Sequence, residues 1–363
     1  LLALLWQFLL GRKAIGTNEK SLLKVFALWA GAVFFSTLYG LQPLHWISRW
    51  ANLYVWCSLP LGLLIFLQRD EKWNKIAFVV GIATLTVLCG MLAYEGIIYH
   101  RRAGAIIETN VMAMGSVLSV TLPSIFVCFL DERVFGKYRW LVLPAFVICN
   151  MGLLYNQTRG AWIACGLMYL IATIVYFRRN IEITTIVLVM GLVVGSFIGA
   201  NGYISRRWTL DPGHSSNASR VRIWTSAYNI WKDHPVLGSG YMTFEKLYQT
   251  KYISKGAMGH ERRLTHAHNN WMMVLAEQGV VGEILFWLCY GSMLLYGVKE
   301  YRKYKDPYSL MIAMVVAGTL VQSSTECNLH MPYFTRIFWS FMGWSVYAHN
   351  LWKEKQLDET RKN

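Results

Sequence analysis

Charge is scarce in this chain, and negative charge scarcer still. Asp, Glu, Lys and Arg together make up 15% of 363 residues, and 20 acidic residues face 35 basic ones. A proton-relay transporter wants carboxyl groups inside its spans, and Glu95, near one end of an apolar run, is the nearest candidate. Inverted repeats, the usual mark of a transporter, are missing as well. The seven cysteines carry neither CxxC nor Cys/His ligand spacing, which removes the common zinc and dithiol motifs. They lie in or at the edges of apolar runs, where free Cys packs as a small hydrophobe. No Asp-x-Asp or Glu-x-x-His stands near the polar segments, so no metal and no other cofactor is expected. The chain opens at Leu1 inside an apolar run, without Met, and the expectation is a truncated first span.

What is abundant is apolar: 55% hydrophobic residues, 15% aromatic, and a mean hydropathy of +0.33. Long apolar runs cover 76–96, 111–130, 140–156, 160–177, 183–199, 271–298, 308–325 and 333–350. Each approaches the roughly 20 residues needed to cross about 30 Å of hydrocarbon. Residues 24–42 and 52–67 read similarly, and 1–10 resembles the end of another run. The fold class is therefore an all-α integral membrane protein with about eleven visible transmembrane helices. Connectors 11–24, 68–75, 131–139, 178–182 and 299–307, with the tail 351–363, hold 20 Lys or Arg. The alternate short connectors hold five: Arg49, Arg101, Arg102, Arg159 and Arg336. This asymmetry puts the basic set in the cytoplasm, and it excludes nucleic acid as the reason for the +15 net charge. Three segments follow: transmembrane helices over 1–199, a long outer-face loop with short helices over 200–269, and transmembrane helices with a cytoplasmic tail over 270–363.

All five outward short-connector cations are Arg, a planar and permanently charged fork suited to phosphate. A lipid diphosphate is the fitting ligand. Arg49 and Arg336 read more plainly as snorkelling to lipid headgroups. Arg159 sits in the tight polar break Tyr155-Asn-Gln-Thr-Arg-Gly-Ala-Trp162, which is built as if around a ligand. Arg101 and Arg102 follow Tyr99-His100 in the connector 97–110. Within the long loop, Val221, Trp224, Tyr228 and Trp231 fall at helical spacing, with Ser219 as the cap and Pro235 as the stop. That aromatic face would lie on the bilayer interface, with Arg220 and Arg222 in the first turn. The turn His234-Pro-Val-Leu-Gly-Ser-Gly240 follows, then a short helix within 241–252.

The densest polar stretch is Arg262-Arg-Leu-Thr-His-Ala-His-Asn-Asn270, at the foot of an apolar helix. His266 and His268 are two residues apart, so at a helix start their side chains diverge by about 200° and do not share a small ligand. A general base needs only one imidazole aimed at a hydroxyl, and His268 is the candidate.

His268-Asn269, nine residues and then Gly279-x-x-Gly282 resemble the signature of the O-antigen ligase family, within the ligase/polymerase superfamily of bacterial surface polysaccharides. Thr158-Arg159-Gly160, the Arg222 helix and Pro235…Gly238-x-Gly240 fall in that family's order. Glu283 departs from it, standing where ligases more often place Gly, Thr or Tyr. The resemblance implies a glycosyltransferase of the bacterial inner membrane with its active site on the periplasmic face. It implies an undecaprenyl-diphosphate-linked glycan as donor and a sugar hydroxyl of lipid A–core, or another glycan, as acceptor, with inversion at the anomeric carbon. His268 would be the base; Arg159 and Arg222, with Arg102 and Arg101 as further candidates, would hold the diphosphate. His266, Asn269, Arg220 and Glu326 would support them. A polymerase or a protein O-oligosaccharyltransferase shares the chemistry and differs in acceptor; a glycan flippase is the alternative of another class.

Overall fold

In the computed structural model, residues 17–58, 71–100, 102–104, 111–176, 215–257 and 259–362 are described. Their regular elements are helices, as a chain must be where lipid offers no backbone partners. We number them α1 (Thr17–Leu38), α2 (Pro43–Trp50), α3 (Glu71–Tyr99), α4 (Val111–Leu130), α5 (Val142–Asn156), α6 (Arg159–Tyr176), α7 (Ser215–Asp233), α8 (Phe244–Thr250), α9 (Asn270–Tyr304), α10 (Pro307–Ser323) and α11 (Pro332–Lys362). Six stretches among the described residues are long and apolar enough to cross a membrane, in α1, α3, α4, α6, α9 and 132–156. The chain is an all-α integral membrane protein. The runs 1–10 and 183–199, and most of 52–67, lie outside the described residues.

The chain divides into two compact units. One comprises 67–209, 297–322 and 341–363, with α4 at its centre. Nearly all of α4 is buried, and most of its hydroxyls find partners inside the protein, Ser124 Oγ being the exception. Thr121 Oγ1 donates to the Val117 carbonyl (2.9 Å) and Ser119 Oγ to Gln322 Oε1 on α10. Helices α3 and α5 approach closely through glycine: a Cβ on Gly152 would sit 2.8 Å from Cys89 Cβ, the small-residue contact common between membrane helices. At the far end of this unit, buried His349 is bracketed by Asp306 (3.0 Å) and Glu300 (2.8 Å).

The other unit comprises residues up to 66, 210–296 and 323–340. Its core joins α7, α8 and the start of α9 through Ile223, Ala227, Ile230, Phe244, Tyr248 and Met273. Helix α7 begins at Ser215, not at Ser219, and its buried stripe is Ile223–Ala227–Ile230. Val221 and Tyr228 of the aromatic face are exposed, and Trp224 and Trp231 are half-buried. The short helix in 241–252 is α8. Arg49 and Arg336, read as headgroup contacts, bind protein instead: Arg49 donates to the His330 carbonyl (3.2 Å) and Arg336 to Asn52 Oδ1 (3.3 Å).

Helix α9 is broken at Gly279, where φ is 64° and ψ is −164°. The break frees amides that would otherwise bond one turn back, and the turn 235–240 fills it. Val280 and Val281 N–H donate to the carbonyls of Pro235 (3.0 Å) and Val236 (3.2 Å). Gly240 N–H in turn donates to the Glu277 carbonyl (2.8 Å). Both Gly279 and Gly238 have positive φ, and a Cβ on Gly279 would lie 2.3 Å from the Val236 carbonyl oxygen. The glycines noted in the sequence are thus a docking joint.

Candidate functional site at the head of α9

Segment 264–269 arrives at α9 as irregular chain and turns sharply at His268, whose φ is +50°. A non-glycine residue in this region is strained, and such strain gathers at functional sites. Asn269 then caps the helix: its Oδ1 accepts from Met272 N–H (3.1 Å), and its Nδ2 donates to the Ser324 carbonyl (3.0 Å). Its own N–H donates to Cys327 Sγ (3.3 Å). Residues 323–328 therefore buttress the head of α9, and Glu326 comes with them.

Glu326 is buried and holds two partners. His268 Nδ1 lies 3.1 Å from its Oε2, and Arg220 Nη2 lies 3.0 Å from its Oε1. A carboxylate only accepts, so the imidazole proton sits on Nδ1 and the Nε2 lone pair is left available. The His268 side chain is 22% exposed. His266 packs against His268 with ring centroids 4.3 Å apart. The divergence expected of the pair does not occur, because both precede the helix and the αL turn at His268 folds the rings together. Burial, reinforced by His268, lowers the His266 pKa to about 4, so it is a neutral neighbour at physiological pH.

Arg222, one turn from the start of the sequence-predicted helix, is engaged by Glu261: Nε donates to Oε2 (3.0 Å) and Nη2 to Oε1. Glu261 was not singled out in the sequence, where it reads as one acid beside Arg262 and Arg263. The other unit carries a second arginine group. Gln157 takes αL geometry (φ 56°) between α5 and α6, Thr158 opens α6, and Arg159 is its first residue. Arg102 donates from Nε to the Asn156 carbonyl (2.9 Å) and from Nη2 to Thr158 Oγ1 (3.1 Å), which brings it onto the same break. Two arginines at a helix N-terminus make a setting suited to an anion. Arg101 lies outside the described residues.

Two further carboxyl groups stand inside the apolar helix α9; the sequence marked Glu283 as a departure from the family pattern and left Glu277 unremarked. Glu277 ties the chain locally, accepting from Phe244 N–H (3.1 Å). Glu283 accepts from Trp287 Nε1 (2.7 Å) and lines a groove of about 370 Å³ with Leu275, Val280, Ile284, Trp287 and Leu288.

Residues 144–287 match the family model described as O-Antigen ligase. Over that segment the chain is similar to the O-antigen ligase family. The O-antigen ligase segment runs from α5 into α9, and Arg159, Arg222, His266 and His268 lie within it. Glu326, which orients His268, lies beyond its end. No curated protein is significantly similar to the chain. The match covers less than half of the chain, from α5 into α9, within a multi-pass helical build.

Proposed function

We propose that the chain is a member of the O-antigen ligase family, an inverting glycosyltransferase that moves a glycan from undecaprenyl diphosphate to a sugar hydroxyl of lipid A–core, at the periplasmic face of the bacterial inner membrane. The observation that carries this reading is His268, held through Nδ1 by buried Glu326 at 3.1 Å so that Nε2 serves as base. The acceptor hydroxyl oxygen attacks the anomeric carbon while Nε2 takes its proton. The bond from that carbon to the diphosphate oxygen breaks, and its electron pair leaves with the diphosphate.

Arginines neutralise that leaving group, so the chemistry asks for no metal. Arg159 and Arg102, gathered at the α5–α6 break, and Arg222 are the proposed diphosphate contacts, with Arg101 a further candidate from the sequence. Arg222 would exchange the Glu261 carboxylate for phosphate oxygens, a like-for-like swap for a bidentate guanidinium. The apolar groove on α9 has the chemistry to take a polyprenyl tail.

The test is transfer from a polyprenyl-diphosphate glycan to lipid A–core by purified protein in EDTA, with wild type and His268→Ala. Transfer by wild type and none by the variant supports the reading. Lengthening of the donor-linked glycan without acceptor modification makes the protein a polymerase, and modification of a protein acceptor makes it an O-oligosaccharyltransferase. A folded preparation that alters neither lipid overturns the ligase reading.

A further inference from the structure

We propose that His266, His268 and Glu326 form a chelating site for a divalent transition metal of zinc type, and that its occupancy switches the base off. Metal binding stands on geometry alone; the inhibition rests on the reading of His268 as base. Among the described residues, one ligand atom from each of these three side chains lies within 4.8 Å of the other two. His268 Nδ1 and Glu326 Oε2 are 3.1 Å apart. Zinc bonds of about 2.0–2.1 Å give a tetrahedral edge of about 3.3 Å, so this pair already spans one edge of a site. The third donor is at hand: His266 Nδ1 is occupied by the Thr265 hydroxyl (2.9 Å), and its Nε2 is buried with no hydrogen-bond partner. An orphaned buried nitrogen is costly, and a metal is one way to satisfy it.

Two imidazoles and one carboxylate suit zinc and its neighbours, and leave a fourth position for water. Arg220 holds Glu326 Oε1 at 3.0 Å, so it fixes the carboxylate while leaving Oε2 to the metal. The consequence for His268 follows from its proton count. A neutral imidazole has one N–H. Metal on Nδ1 takes that nitrogen's lone pair, and the single proton must then sit on Nε2. The nitrogen aimed at the acceptor hydroxyl becomes a donor and accepts no proton.

The experiment uses the full chain, purified, stripped with EDTA and dialysed. Zinc is titrated by calorimetry into wild type, His266→Ala and Glu326→Gln, with folding of each checked by circular dichroism and size exclusion. One zinc per wild-type chain, with affinity at least about tenfold weaker in both variants, is the expected result. Wild type alone gives a second readout, because cobalt in the same site acquires visible d–d absorption that zinc displaces. Wild type that binds neither ion overturns the proposal, as does zinc binding that both folded variants retain. Glycan transfer by wild type is expected to fall over the zinc range that saturates the site and to return with EDTA. Transfer that persists or rises at saturation overturns the inhibitory half. If the preparation performs no glycan chemistry at all, the failure belongs to the proposed function, and calorimetry still decides whether the metal binds.

Discussion

His268 sits in a backbone region that costs a non-glycine residue energy, and it is kept there from two sides. Asn269 ties the following turn to residues 324 and 327, and Glu326 ties the ring. Removing the proposed base by His268→Ala is expected to lower kcat for transfer by about 10²–10⁴-fold, the usual worth of a positioned general base. Glu326→Gln keeps shape and loses the carboxylate that selects the Nδ1–H tautomer. It is expected to lower kcat by about tenfold or more with donor KM little changed, and to shift the acid limb of the pH–rate profile; an unchanged profile would reduce Glu326 to a structural role.

The neutral His266 has a stability signature. Its folded pKa near 4 lies below the ordinary 6.5, so between these values the unfolded chain holds the proton and the folded chain does not. Stability therefore falls as pH drops from about 6.5 to 4 and levels below. His330, pushed to about 3 by burial, adds a loss of the same sign. His266→Gln is expected to reduce the fall of the thermal midpoint of detergent-solubilised protein across that window, the remainder being left to His330. These residues were legible one at a time: the sequence marks His266, His268, Arg220 and Glu326. Their pairing was not, because Glu326 stands 58 residues from His268 and 106 from Arg220.

The joint between α9 and the 235–240 turn is the feature to test among the elements. Gly279→Ala places a Cβ 2.3 Å from a backbone oxygen at positive φ, where backbone must move. A loss on the order of 1–3 kcal/mol is expected, read as a drop in thermal midpoint. Gly166→Ala is the control, since a Cβ there meets nothing within 4 Å inside α6 and alanine is the better helix former; it is expected to be neutral or slightly stabilising. Asn269→Ala removes the α9 cap, at about 1 kcal/mol. Apolar periodicity is enough to locate α9, but a break inside an apolar run leaves no periodic trace, because both halves remain hydrophobic. The α7 start was misplaced for a related reason. Ser215-Ser-Asn217 supply cap-type side chains as well as Ser219 does, so side-chain type does not choose between the two starts.

For the molecule as a whole, the alternation of basic connectors makes a prediction independent of any site. A reporter fused after Asn363 that folds only in the cytoplasm is expected to be active, and the same reporter inserted in 254–256 inactive. Reversed activities would invert the topology and move His268 to the wrong side for a periplasmic donor. Membrane character was readable because it is a sum over long runs, and the six candidate spans fall on stretches the sequence marked. The same unit that holds His268 also sets an order of assembly. Tyr241 N–H donates to the Ser36 carbonyl, Ser36 Oγ reaches the Glu277 carbonyl across 241 residues, and a Cβ on Gly240 would strike Gly40. The turn can therefore settle only after the ribosome has delivered both α1 and α9. Until then the segment holding Arg220 and Arg222 waits without its final partners, so a lesion near residues 36–40 is expected to surface as failed maturation of a segment far downstream in the chain.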